Sequence, residues 1–178
     1  MNLEDFRITG PLPPKLGRWE IIMRPEHWKI AHDVALMYTI DNKLHNRDTR
    51  NHDRTESTAF KRLRSGLLAE QAVSILTGLP WTPAPPGVFG RCDIDNRIEV
   101  KHTDLLDGHL IMPEQSPRNA PHVLVVKPYP RMLCRGWAYG YEIEEHGKFY
   151  QNGDSGMSEP QWWLGHWQDV FRPMDSLA

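Results

Sequence analysis

The chain has 178 residues, a formal net charge of -2 and 39% hydrophobic residues, which is typical of one folded domain and excludes a coiled coil or a disordered chain. It has no apolar run near the ~18 residues of a membrane-spanning helix and no basic start before an apolar stretch, so we expect no membrane partner and a cytoplasmic location. Two cysteines are too few for a disulfide framework.

The first half of the sequence predicts an arm followed by two helices. Residues 1–20 are rich in proline, and we expect them to form a loosely packed arm. Pro25 suits the first position of a helix, and apolar residues at helical spacing extend that helix to about Leu44. A second helix is predicted from about Ser57 to Thr77, with Gly78 as its C-terminal cap. The polar stretch between the two helices has the composition of an exposed loop or a helix extension.

The second half of the sequence predicts strands. GRCDI and RIEVKHT are short β-type runs on either side of the turn residues Asp95 and Asn96. HVLVVK is a continuous apolar run of the kind that forms a buried strand, and GWAYGYEIE alternates as a further strand does. Residues 146–178 form a C-terminal extension rich in tryptophan. Its tryptophans at helical spacing, which we expect to pack as one stripe, are Trp162, Trp163 and Trp167.

Three charged residues around the Asp95-Asn96 turn have the spacing of a chemical site. Glu99 and Lys101 are two residues apart, so a strand places both side chains on one face. A two-residue loop would send Asp93 to the opposite face, whereas a three-residue loop centred on Asn96 pairs Asp93 with Glu99. Because asparagine tolerates the left-handed conformation of such loops, we predict the three-residue loop or an equivalent bulge.

Two carboxylates held close together repel each other and favour a hard divalent cation between them. Mg2+ suits such oxygen ligands and is commonly shared with substrate phosphates. We expect Lys101 to orient or deprotonate an attacking water and to stabilise developing negative charge. Glu70 lies one turn past Leu67, on the helix flank predicted to face the sheet, where an acid is costly without a cation or water partner. These groups are typical of phosphodiester hydrolysis.

The same residues resemble the PD-(D/E)XK nuclease superfamily, most of all its small members encoded by phages and prophages. The likeness covers about residues 57–145 and begins with R-x-x-x-G-x-x-A-E in a helix, followed by D-x5-E-x-K on two strands. The helix motif consists of Arg62, Gly66, Ala69 and Glu70. The resemblance implies Asp93 and Glu99 as metal ligands, helped by the backbone carbonyl of Val100. It also implies Lys101 as the catalytic lysine and Glu70 as an acid that joins the metal directly or through water.

The fold implied by the resemblance is α/β and restriction-endonuclease-like: a mixed central sheet flanked by helices, within a single nuclease-like domain over residues 1–178. Its order is helix, three strands, helix and a fourth strand, here HVLVVK. The implied activity is a Mg2+-dependent deoxyribonuclease acting as an endonuclease, with Mn2+ as a substitute metal. Cys92 stands where the family often has proline. Pro113 and Pro117 must shorten or break the helix before the fourth strand, and Asn119 departs from the tyrosine of an exonuclease branch.

Several other interpretations of the same sequence stay open. Glu99 and Lys101 alone are also what a surface ion pair between strands needs. Residues 42–64 carry an excess of four positive charges, which suits DNA phosphates or a solvated face equally well; the candidates next to the site are Lys61, Arg62 and Arg64. The alternative functions are a catalytically silent DNA-binding protein and a phage structural or interaction protein. A homodimer would suit cutting of both strands.

Overall fold

The computed structural model describes residues 15–17, 19–44, 56–84, 91–126, 129–151 and 160–177. These residues form a mixed α/β structure with three α-helices and two sheets. Among the described helices, none combines the length and the apolar character that crossing a membrane requires. Residues 45–55, in the middle of the basic segment 42–64, lie outside the described ranges.

Both predicted long helices are confirmed. Helix α1 covers Pro25–Leu44, and helix α2 covers Glu56–Thr77. Gly78 ends α2 with a φ of 75°, a left-handed conformation that glycine adopts without a steric penalty. Its N–H donates to the carbonyl of Ser74 at 2.8 Å, which satisfies one of the last carbonyls of the helix.

The described residues also form eight strands and a short 3-10 helix at Met174–Ser176. In chain order the strands are β1 (Lys15–Gly17), β2 (Glu20–Ile22), β3 (Glu99–Thr103), β4 (Leu110–Pro113), β5 (Pro121–Val126), β6 (Arg131–Tyr139), β7 (Lys148–Tyr150) and β8 (Gln161–Leu164). The larger sheet has the order β1-β2-β6-β5-β3, in which only β3 and β5 are parallel. The smaller sheet has the order β4-β8-β7 and is antiparallel. Strand β5 confirms the predicted buried strand.

The core forms two layers on the opposite faces of β5. Side chains alternate along a strand, so Val123 and Val125 pack with α1 and α2, while Leu124 and Val126 pack with the smaller sheet and its neighbours. Strand β3 lies at one end of the larger sheet and therefore has a free edge. That free edge, next to α2, is where the predicted site residues lie.

Four sequence predictions about elements need correction. The described part of GRCDI contributes only two isolated bridges, both at Ile94, instead of a strand. GWAYGYEIE is a strand only as far as Tyr139, because Gly140–His146 forms helix α3. The segment between β3 and β5, all of it described, holds β4 in place of the helix that the resemblance implies. Within the predicted arm, residues 15–17 and 20 belong to the larger sheet.

The interpretation of the tryptophans as a helical stripe is also wrong. Trp162 and Trp163 are neighbours on β8 and point to opposite faces. Trp162 packs in the core, whereas Trp167 is 62% exposed and lines a surface cleft of about 490 Å³. The helical spacing misled because a strand followed by a turn produces the same intervals over so short a segment.

Candidate active site

The hairpin that builds the site has the predicted three-residue loop. Ile94 and Ile98 form an antiparallel bridge, and their backbone N–H groups donate to each other's carbonyls at 3.0 and 3.2 Å. The loop between them is Asp95-Asn96-Arg97, with positive φ angles of 48° at Asp95 and 54° at Asn96. Both isoleucines are buried, so the residues outside the bridge, at positions 93 and 99, point away from that core contact.

Asp93 closes the free edge of β3. Its Oδ2 accepts a hydrogen bond of 2.7 Å from the backbone N–H of Val100. Because the N–H and C=O of one strand residue point to the same side of the strand, the Val100 carbonyl faces this edge as well. The side chain of Val100 belongs to the helix-side core. The main chain of Val100 is thus held beside Asp93, and the role of its carbonyl as a ligand stays a prediction.

Lys101 and Glu99 form the closest contact in the site. The Nζ atom of Lys101 lies 2.6 Å from Oε1 of Glu99, and the two side chains keep 24% and 11% of their surface exposed. Burial lowers the pKa of Lys101, but the charges of Glu99, Asp93 and Glu70 outweigh burial and leave the pKa above its usual value. The lysine is therefore a protonated cation among carboxylates. Of the two side chains, Lys101 is the more accessible to solvent.

Glu70 reaches the same group of charges from α2. The indole N–H of Trp81 donates to its Oε2 at 2.7 Å. Burial and the charges of Asp93 and Glu99 raise the pKa of Glu70 well above its usual value, against the opposing effects of Trp81 and Lys101. One helix and one hairpin thus bring three carboxylates and one ammonium into mutual electrostatic contact.

The cluster holds more negative charge than its lysine compensates. Burial, followed by the charge of Glu99, raises the pKa of Asp93 to about 7, even though Lys101 and the Val100 N–H favour the charged form. The second carboxylate oxygen of Glu99, Oε2, is buried and has no hydrogen-bond partner among the described residues. A buried acceptor without a donor costs about 1–3 kcal/mol. This excess of hard oxygen donors and charge fits a divalent cation.

In the described part of the chain, no three His, Cys, Asp or Glu side chains stand in an arrangement that would hold a metal ion. The ammonium group of Lys101 takes up one oxygen of Glu99 in this arrangement. The fit of the site to a cation therefore rests on the chemistry of its donors and on the unpartnered Glu99 oxygen.

Three residues around the cluster were missed by the sequence reasoning, and Cys92 was considered only as a departure from the family motif. The Tyr38 hydroxyl donates to the carbonyl of Ala84, and burial with the nearby Glu70 charge raises the pKa of Tyr38. Burial and the charges of Glu99 and Asp93 raise the pKa of the Cys92 thiol to about 11. The other two are Trp81 and His122. A tryptophan in a Pro-rich turn and a histidine at the start of an apolar strand were the available signals.

The basic residues predicted beside the site divide into two groups. Lys61 and Arg62 are exposed on α2. Arg64 is partly buried, and its guanidinium lies 4.8 Å from the ring centroid of Trp28, a cation–π contact with α1. His102, the next residue on β3, points away from Lys101, and its side chain is 8% exposed and lies 3.7 Å from Asp104.

Comparisons with family models, curated proteins and solved structures find no match.

Proposed function

We propose that this protein is a metal-dependent nuclease that hydrolyses phosphodiester bonds of DNA. The observation that carries the proposal is the cluster at the free edge of β3, in which Lys101 contacts Glu99 at 2.6 Å and the charges of Asp93 and Glu70 also act on the lysine. A surface ion pair between strands would need neither a buried acid from a helix nor a second acid from the hairpin. Buried groups with strongly perturbed pKa values concentrate at functional sites.

The donor set suggests how a cation would be held. Asp93, Glu99 and the carbonyl of Val100 would bind Mg2+, and Glu70 would join directly or through a water. Mn2+ would substitute because it accepts the same oxygen ligands. When bound, the cation supplies positive charge that draws in a phosphate and stabilises the charge that develops during hydrolysis.

Lys101 is best suited to orienting water and stabilising charge. Its raised pKa keeps the ammonium protonated near neutral pH, which supports hydrogen-bond donation over proton abstraction. As a fixed cation at the exposed side of the cluster, it would stabilise negative charge that develops on a phosphate oxygen. The ion pair with Glu99, 2.6 Å between Nζ and Oε1, fixes the position of the ammonium group.

A polyanionic substrate is supported by the surface of α2 before Glu70. Lys61 and Arg62 are exposed there, whereas Arg64 makes a cation–π contact with Trp28. Such residues bind phosphates without reading the base sequence.

We also propose the restriction-endonuclease-like fold, which the parallel β3–β5 pair beside α2 supports. The strand β4 in place of the connecting helix is a departure from it. Cutting of both strands would employ a homodimer.

The proposal is tested by a cleavage assay with Mg2+ or Mn2+. The substrates are linear, nicked, branched and single-stranded DNA, with RNA of the same sequence as a further arm. We expect metal-dependent cleavage of DNA that falls at least ~100-fold in Lys101→Ala and in Asp93→Ala, both of which remain folded. Lys148→Ala removes an exposed lysine of the smaller sheet and serves as the matched control.

Unchanged cleavage by Lys101→Ala would refute the mechanism. Salt-sensitive DNA binding without hydrolysis or metal binding would instead support the catalytically silent DNA-binding protein. Failure to bind any nucleic acid would leave a phage structural or interaction protein as the better account.

A further inference from the structure

The surface cleft of about 490 Å³ beside Trp167 lies outside the candidate active site. It is formed where the end of α3 meets the turn that follows β8. Its lining residues are His146, Trp167, Gln168, Asp169 and Val170. The volume is within the range of sites that take a small ligand or a single side chain.

Trp167 is fixed by its neighbours while most of its surface stays open. A Cβ atom on Gly165 would lie 2.5 Å from two atoms of the indole ring, so the ring packs directly on the backbone of that glycine. The rings of His109 and His166 meet the indole nearly at right angles, each with 5.1 Å between ring centroids. Trp167 is nevertheless 62% exposed. An aromatic ring that is already held in place binds a ligand at a lower entropic cost.

Two polar groups of the cleft are acceptors that lack a donor. Asp169 is exposed, and no described residue forms an ion pair with it. Oε1 of Gln168 is buried without a hydrogen-bond partner among the described residues. A further carboxylate, that of Glu145, lies 3.7 Å from the ring of His146 and is 70% exposed. A ligand that donates hydrogen bonds and carries positive charge suits these groups.

The charge around the cleft also favours a cation. Residues 141–178 contain seven Asp or Glu and only two Lys or Arg. Both basic residues have contacts of their own, because Arg172 donates to Glu142 at 2.6 Å and Nζ of Lys148 lies 4.8 Å from the ring centroid of Tyr150. The excess negative charge attracts a cation and repels the phosphate of a nucleotide. A nucleotide stacked on Trp167 is therefore the less favourable occupant.

We propose that this cleft binds the guanidinium group of an arginine side chain from another polypeptide. The planar guanidinium stacks on the face of Trp167, which no spherical ammonium does equally well. Its N–H groups form a fork that donates to the carboxylate of Asp169 and to Oε1 of Gln168. The inference is independent of the proposed nuclease activity, which uses other residues.

The test measures binding of small probes to the full chain by NMR. The probe is N-acetyl-arginine amide, and the signal is the indole N–H of Trp167, identified by its loss in Trp167→Leu. N-acetyl-citrulline amide has the same shape without the charge, and we expect it to bind about 10-fold more weakly or less. N-acetyl-lysine amide should bind more weakly than the arginine probe because it lacks the plane.

Two variants of the cleft identify the contacts. Asp169→Asn removes the charge at nearly constant shape and should weaken arginine binding about 10-fold. Trp167→Leu should weaken it to a similar degree, measured on other shifted signals. Phe149→Leu changes an exposed aromatic residue outside the lining and serves as the matched control. Thermal melting verifies that each variant is folded.

Three outcomes would overturn the inference. Equal binding of the citrulline and arginine probes, or unchanged arginine affinity in Asp169→Asn, would exclude recognition of the guanidinium charge. Tighter binding of adenosine monophosphate than of the arginine probe would assign the cleft to a nucleotide. Tighter binding of free arginine than of the capped amide would assign it to a small molecule instead of a polypeptide. None of these results bears on metal-dependent cleavage of DNA.

Discussion

Replacing Asp93 with asparagine should stabilise the metal-free protein. The carboxyl is held where burial and the Glu99 charge raise its pKa from 3.8 to about 7. Between these pH values the folded state binds a proton that the unfolded state has released, so the contribution of this group to stability falls as pH rises through that window. Above pH 7 the ionised group makes its full unfavourable contribution.

The expected magnitude follows from the size of the pKa shift. Each pKa unit corresponds to about 1.4 kcal/mol, so the rise from 3.8 to about 7 corresponds to about 4 kcal/mol at pH 8. In wild type the Val100 N–H donates to Oδ2 of Asp93 at 2.7 Å, and the side-chain oxygen of asparagine can accept the same hydrogen bond. Asparagine is uncharged, however, so it attracts Lys101 less than the carboxylate does. We therefore expect a net gain of about 2–4 kcal/mol, seen as a rise in Tm on the order of 5–10 °C for a chain of this size.

The measurement is urea unfolding of wild type and Asp93→Asn at pH 5 and pH 8 with EDTA present. The gain of the variant should be large at pH 8 and small at pH 5, and Asp107→Asn, which changes an exposed loop residue, should show neither effect. Saturating Mn2+ should stabilise wild type by about 2.7 kcal/mol at 100 times its Kd and reduce the advantage of the variant. A variant that is less stable than wild type at pH 8 would show that Asp93 is a structural ion-pair partner, contrary to our reasoning.

Three further predictions concern the stability of the fold. Arg172 donates two hydrogen bonds to Glu142, one of them 2.6 Å long, and Glu142→Gln weakens both. We expect the free energy of unfolding in urea to fall by only about 1–2 kcal/mol, because Arg172 is partly exposed and water screens the pair. Because Arg172 lowers the pKa of Glu142, this stabilisation is present above pH 4.5 and is lost as pH falls through the folded pKa, so the variant should have a flatter acid profile. Trp81→Phe keeps an aromatic ring but removes the donor to Glu70, and should cost about 1–3 kcal/mol in urea unfolding; a variant as stable as wild type would show that this hydrogen bond does not stabilise the fold. Gly78→Ala should lower stability by about 1 kcal/mol because of the φ of 75°, with a smaller loss for Gly78→Asn, and a neutral alanine variant would contradict the capping role.

The sequence was most informative where a few consecutive residues set the local backbone. Apolar spacing and the glycine at position 78 were enough to locate both long helices. The turn residues Asp95 and Asn96 were enough to set the parity of the hairpin. That parity places Asp93 and Glu99 on the same side, and alternation along β3 adds Lys101.

Elements formed by distant contacts were not predictable in this way. The segment after Tyr139 alternates like a strand, yet it is helical where Glu142 accepts from the Tyr139 N–H and from Arg172. The smaller sheet joins β4 to β8, whose sequences are far apart in the chain. Short segments of mixed preference take the structure that their distant partners stabilise.

For the site, the sequence by itself determined the acids and the lysine, together with the local geometry of the hairpin that carries most of them. Only the tertiary structure decided that Trp81 donates to Glu70 and that His122 lies in register with Glu99. The physical reason is that turn and strand preferences act over a few residues, whereas strand register and burial are fixed by packing of the whole core. The same packing gives these carboxylates their raised pKa values, which no count of charges in the sequence contains.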